Sequence, residues 1–146
     1  MSNLQNILLF SLFAGFILLE FALGKARGMN ATRGDNMLDM LCLALLAGFT
    51  QPFIFWLVQQ AGLAWAPEYQ SAWSGLPWYA MAGILLVGDD MTQYWWHRAS
   101  HSPLLWPLHR AHHSAQYMSA RIIYRNNFFY YLAMPGLWIS GVLIYL

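Results

Sequence analysis

Charge is what this sequence most lacks. Only 9% of its 146 residues are Asp, Glu, Lys or Arg, against roughly 25% in soluble domains. So few charges could not adequately solvate the surface of a soluble globule of this size. Cysteine is nearly absent: Cys42 stands alone in an apolar run, which excludes a disulfide within the chain and reads as a small buried hydrophobe. Histidine is missing everywhere outside the stretch Trp96–Ser114, and no acidic residue follows Asp90. There is no internal repeat or low-complexity tract, and the formal net charge of +1 gives no expectation of a nucleic-acid partner.

What is present is apolar sequence in long runs. Asn3–Gly24 carries one charge, Glu20, which can snorkel to a membrane edge. Met37–Leu63 carries only Asp39, Pro77–Trp96 only Asp89 and Asp90, and Phe128–Leu146 none. Each run is close to the ~20 residues that an α-helix needs to cross about 30 Å of hydrocarbon. The expected fold is therefore an all-α integral membrane domain with four transmembrane helices at about 4–24, 37–63, 77–101 and 128–146. The first run lacks a basic leader and exceeds the ~7–15 apolar residues of a signal peptide, so it reads as a retained helix.

All seven basic residues follow either the first run (Lys25, Arg27, Arg33) or the third (Arg98, Arg110, Arg121, Arg125). The loop 64–76 has none. Short cytoplasmic loops are enriched in Lys and Arg, so the N-terminus is expected outside and the histidine segment in the cytoplasm. The membrane would be a bacterial inner membrane, or the endoplasmic reticulum in a eukaryote. The Asn30-Ala31-Thr32 sequon would lie on the side where it is not glycosylated.

Within the segment 97–114, His97 and His101 stand at i and i+4, and His109, His112 and His113 at i, i+3 and i+4, each set on one helical face. Pro103 and Pro107 separate the two sets. The spacing predicts that the third helix runs to about His101, turns through SPLLWP, and is followed by a short helix that returns three imidazoles towards the first two. Imidazole suits iron, zinc, copper and nickel. Five imidazoles exceed what four-coordinate zinc accepts, so they suit more than one ion, or one of higher coordination number. The bland alternative, interfacial histidines touching lipid phosphates beside Arg98 and Arg110, explains neither the spacing nor their absence elsewhere. A zincin would need HExxH, and here the stretch is HRASH.

Asp89 and Asp90 are costly in a transmembrane helix and default to functional readings. Asp90 lies seven residues before His97, within about 20° of the same face at 100° per residue, and Tyr94 lies near that stripe. Both are candidates to sit behind the metal ligands, with Asp90 orienting an imidazole through its ring N–H. Asp89 is open between helix–helix hydrogen bonding and the site.

The run DDMTQYWWHRASHSPLLWPLHRAHHS resembles the fatty acid hydroxylase superfamily, also called the sterol desaturase family, over about forty residues. Asp90, Tyr94, His97, Arg98, His101, Leu105, Trp106, His109, His112, His113 and Ser114 fall on its pattern, and MSARIIYRNNFFYY resembles its arginine-bearing stretch. The acyl-lipid desaturases also use HxxxH and HxxHH, but they usually separate the first two boxes further. Only seven residues lie between His101 and His109 here. The resemblance implies a membrane oxidoreductase with two irons held by histidine (zinc is not excluded) that uses O2 and an electron-donor protein or reductase. Its substrate would be a lipid of fatty acyl, sterol or sphingolipid type, hydroxylated or desaturated at a C–H bond.

The family carries a further HxxHH box after the next membrane region, and no histidine follows His113 here. The chain is accordingly read as an incomplete single membrane domain, an N-terminal fragment that is inactive alone. The alternative is a truncated, non-catalytic membrane protein keeping a partial structural metal site. A third reading, a lipid-phosphate module built on Arg98, Arg110 and Arg121, requires the histidines to be dispensable.

Overall fold

The computed structural model describes residues 32–146 except 118, together with residues 11, 14–16, 18 and 19. The first expected helix, 4–24, and the residues Glu20, Lys25 and Arg27 lie largely or wholly outside this set. The described residues are helical throughout, with no strand among them.

Helix α1 spans Arg33–Trp65. Its start is fixed by a capping box in which the Thr32 hydroxyl accepts from the Asp35 N–H and the Asp35 carboxylate accepts from the Thr32 N–H, both at 3.1 Å. Pro52 falls in its interior, where it can offer no N–H to the preceding turn. The helix absorbs that defect in a π-helical turn, Leu46–Thr50, in which the Gln51 N–H reaches back to the Leu46 carbonyl. At 33 residues α1 is, among the described residues, the one helix long and apolar enough by composition to cross a membrane.

Helix α2, Trp78–Ser100, begins after Pro77 and ends at His101, with Pro103 beyond. Asp89, Asp90 and Gln93 dilute its hydropathy. The expected last helix, 128–146, is two helices. Asn127 caps α4, Phe128–Ala133, by accepting from the Phe129 N–H at 2.8 Å, and α5 is Pro135–Tyr145. Pro135 forces the break: its ring excludes helical backbone at Met134, which is extended (ψ 112°), while its missing N–H costs nothing at the start of α5.

Helix α5 packs between the second half of α1 and α2. Glycine permits this closeness. A Cβ on Gly62 would fall 2.5 Å from the Tyr145 ring, and one on Gly141 would fall 3.1 Å from Val58, the small-residue contact favoured where helices meet in lipid. The Tyr145 hydroxyl donates to the Ala66 carbonyl at 2.8 Å, and the Ser71 N–H to the Tyr145 carbonyl at 3.0 Å. The 66–76 loop is thereby pinned to the end of α5. Among the described residues, a buried apolar cluster forms around Leu46, Tyr130, Tyr131 and Met134. The outer faces of α1 and α2 expose Leu41, Phe49, Trp56, Leu86, Val87 and Trp95.

Candidate metal centre

His97 lies in the last turn of α2 and His101 is its C-cap, so their rings stack along one face with Nε2 atoms 3.1 Å apart. The chain reverses through Ser102–Leu105, where the Trp106 N–H bonds the Ser102 carbonyl at 2.9 Å. It then enters the single turn α3, Trp106–His109. Pro107 sits at the start of that turn, where it removes no needed hydrogen bond. A 3-10 turn, His112–Ser114, follows. The second set of histidines is thus carried on two short turns, where the sequence led us to expect one helix. It still brings His109 Nε2 within 3.1 Å of His113 Nε2.

The two sets converge. Ring centroids of His97 and His109 are 4.6 Å apart, and those of His101 and His113 4.8 Å. One nitrogen from each of His97, His101, His109 and His113 lies within 4.8 Å of all the others. Two imidazoles on one ion, with metal–nitrogen bonds of about 2.1 Å, hold their nitrogens roughly 3 Å apart, which is the spacing of each pair. His112 stacks on His109 at 5.2 Å beside this group of four. No carboxylate joins the group among the described residues. An all-imidazole donor set of this kind fits iron and zinc, and disfavours calcium or magnesium.

Two ring orientations are set from behind. His112 Nδ1 lies 3.0 Å from the Ile122 carbonyl, an acceptor only, so Nδ1 carries the proton and Nε2 is left with its lone pair. His109 Nδ1 lies 3.0 Å from Asn126 Oδ1, whose Nδ2 in turn points to the Tyr131 hydroxyl at 3.4 Å. Burial pushes the His109 imidazolium down to about 4, the Asn126 bond opposing it and the neighbouring histidines adding to it. His113 is lowered by burial, then by His112 and His101. Both are therefore held neutral, the form that ligates. Asn126 has no counterpart in the sequence reading, because no local spacing ties it to His109, seventeen residues away. Replacing Asn126 by alanine is expected to weaken metal binding by about 10–100-fold. Metal titration of the wild-type and variant proteins checks this, and equal affinities would refute it.

Asn126 is in turn held by its neighbour. Arg125, 1% exposed, reaches across the fold to α1. Its Nε donates to Asp39 at 2.6 Å, and its two terminal nitrogens donate to Asp35 at 3.0 Å and to the Tyr117 hydroxyl at 2.7 Å. Tyr117 donates to the other Asp39 oxygen at 2.5 Å. Burial, then the bond to Asp39, raises the Tyr117 phenol to about 12, so it remains a donor. Arg121 bonds Asn36 at 2.8 Å alongside.

Residues 82–146, from within α2 to Leu146, match the model of the fatty acid hydroxylase family. This segment is similar to the fatty acid hydroxylase family. No curated protein and no solved structure matches the chain.

The histidines stand at one end of a cavity of about 520 Å³ that runs between α1, α2 and α5 as far as Ile144. His97, His109 and His112 line it, and most of its remaining wall is apolar. Of the residues expected behind the ligands, Asp90 is exposed and outside the cavity wall. Tyr94 is exposed, its hydroxyl accepting from Arg98 at 2.9 Å away from the histidines. The row that leads to His97 is instead Leu85, Asp89 and Gln93, each four residues from the next. This face is inward because α5 lies against it: a Cβ on Gly136 would fall 3.3 Å from the Asp89 carboxylate and 3.7 Å from Thr92.

Proposed function

We propose that this chain belongs to a membrane-embedded, metal-dependent oxidoreductase that hydroxylates or desaturates a C–H bond of a lipid with O2. The observation that carries the reading is the convergence of four imidazole nitrogens, those of His97 and His109 on rings that line the end of a largely apolar cavity. The exposed apolar faces of α1 and α2 support a bilayer around the helices. In this reading the chain crosses the membrane four times, with its N-terminus outside and the histidine segment in the cytoplasm, where a reductase can dock. His97, His101, His109 and His113, with His112, would hold iron, two ions being expected.

The iron, when bound, activates O2 for abstraction of hydrogen from an unactivated C–H bond. This chain's residues do the rest. Asn126 and the Ile122 carbonyl engage Nδ1 of His109 and His112, which leaves Nε2 of each free to ligate. Trp106 stacks on His113 at 5.5 Å and fixes the plane of its ring. The cavity aligns a lipid tail with its reacting carbon beside His97 and His109.

The test is metal analysis of the full-length natural protein, purified in detergent, coupled to turnover of membrane lipids under isotopically labelled dioxygen. Bound iron and label in a lipid alcohol, or O2-dependent loss of two lipid hydrogens, are the expected results. Iron without turnover would favour the structural-site alternative. A protein that binds no metal would overturn the reading altogether.

A further inference from the structure

Asp39 and Arg125 are both buried, and the chemistry proposed above gives neither a task. A buried ion pair seldom adds stability over an apolar pair of similar size, and a carboxylate within a membrane helix is costly. What the pair holds is visible in its bonds. One Asp39 oxygen accepts from Arg125 and the other from Tyr117, while Arg125 also donates to the Tyr117 hydroxyl. Both ends of the loop 117–125 are thereby fixed to one carboxylate on α1. A turn earlier on α1, Asp35 and Asn36 accept from Arg125 and Arg121.

Two histidine partners are carried by this loop. The Ile122 carbonyl, in the 3-10 turn Ala120–Tyr124, accepts from His112 Nδ1. Asn126, directly after Arg125 and itself buried, presents Oδ1 to His109 Nδ1. Its Nδ2 faces the Ile123 carbonyl at 3.5 Å, which only accepts, so Oδ1 is the atom left for the imidazole. The proton of His109 then lies on Nδ1, and its Nε2 lone pair faces His113. These partners stand seventeen and ten residues from their histidines, too far for local geometry to hold the register. The contact with α1 holds it, and α1 lies outside the residues 82–146 that match the family model.

We propose that Asp39 is a positioning residue for the histidine cluster. Through Tyr117 and Arg125 it places the Ile122 carbonyl and Asn126, and so fixes which nitrogen of His112 and His109 is free to ligate. A planar guanidinium with directed bonds holds the loop in one register, whereas an apolar pair of the same bulk fills the space without choosing one. An imidazole with its proton on Nε2 offers its lone pair on Nδ1 instead, which for His109 is the side away from His113. Loss of Asp39 therefore lowers metal affinity even where the fold survives. The inference rests on the reading of the histidines as metal ligands, but half of its test needs no metal.

The experiment compares the detergent-purified full-length protein with its Asp39→Leu, Arg125→Met double variant. Zinc, which is redox-inert, is titrated against a competing chelator, and circular dichroism follows the fold. Nitrogen-15 NMR of the histidine-labelled, metal-free proteins reads where each ring carries its proton, with His109→Gln and His112→Gln assigning the signals. The double variant is expected to keep its helices but to bind zinc about 10–100-fold more weakly, with the protons of His109 and His112 no longer confined to Nδ1. Wild-type zinc affinity and unchanged proton positions in the folded double variant overturn the proposal. Should that variant fail to fold, Tyr117→Phe decides. It keeps the ring that Arg125 lies over at 5.5 Å but loses the bond to Asp39. Weaker zinc binding with displaced protons in Tyr117→Phe supports the proposal, and wild-type values overturn it. If no protein binds zinc while the proton positions still follow Asp39, the metal reading falls and the positioning stands. If zinc binds equally to all of them and the protons do not move, the reverse holds.

Discussion

Alanine at His97 or His101 is expected to strip the full-length protein of most of its iron, to below about a tenth of the wild-type content, with its helices intact. Both side chains are exposed at the end of α2, so neither carries packing whose loss could unfold the chain. The backbone N–H of His101, not its ring, closes the helix end. Each contributes one of four nitrogens gathered within 4.8 Å, and removing one leaves its 3.1 Å partner unpaired. Elemental analysis beside far-ultraviolet circular dichroism separates metal loss from unfolding. His112→Ala is the internal control, expected to lose less iron because His112 lies outside the tight group of four. Full iron retention in His97→Ala and His101→Ala would show that the convergence is not a metal site.

How much of this was legible beforehand depends on the range of the interactions involved. Helices α1 and α2 lie close to the expected 37–63 and 77–101, because length and apolar composition are local properties. The convergence of the two histidine sets was also legible, since a proline-bounded turn of a few residues leaves little choice of direction. The break at Met134–Pro135 was written in Pro135 itself but hidden inside an uninterrupted apolar run. That Asp89 and not Asp90 lines the cavity has a different reason. Counting 100° per residue ranks positions around α2, but which side faces inward is decided by α5, which lies some fifty residues further along the chain. Asn126 and Arg125 carried no local pattern at all. Asp39, the single charge in a long apolar run, was the one available hint, since a lone buried carboxylate demands a cation.

That cation makes the largest stability prediction. Arg125→Ala leaves Asp39, fully buried, with no counter-ion, and breaking a buried pair in this way costs about 3–5 kcal/mol. Arg125→Lys is expected to recover little. One ammonium cannot bond Asp39, Asp35 and Tyr117 from the three nitrogens that the guanidinium now uses. Arg125→Met combined with Asp39→Leu is expected to regain most of the loss, because no charge then stays buried without a partner. Tryptophan fluorescence during denaturation in mixed micelles reads all three variants. A single Arg125→Ala variant within about 1 kcal/mol of wild type would mean that the pair is solvated rather than enclosed. Asp39 sits in the first turns of α1 and Arg125 directly before Asn126, so this bond joins α1 to the residue that orients His109. A marked non-additivity in the cycle would therefore measure how firmly α1 is tied to the histidine-bearing end of the fold.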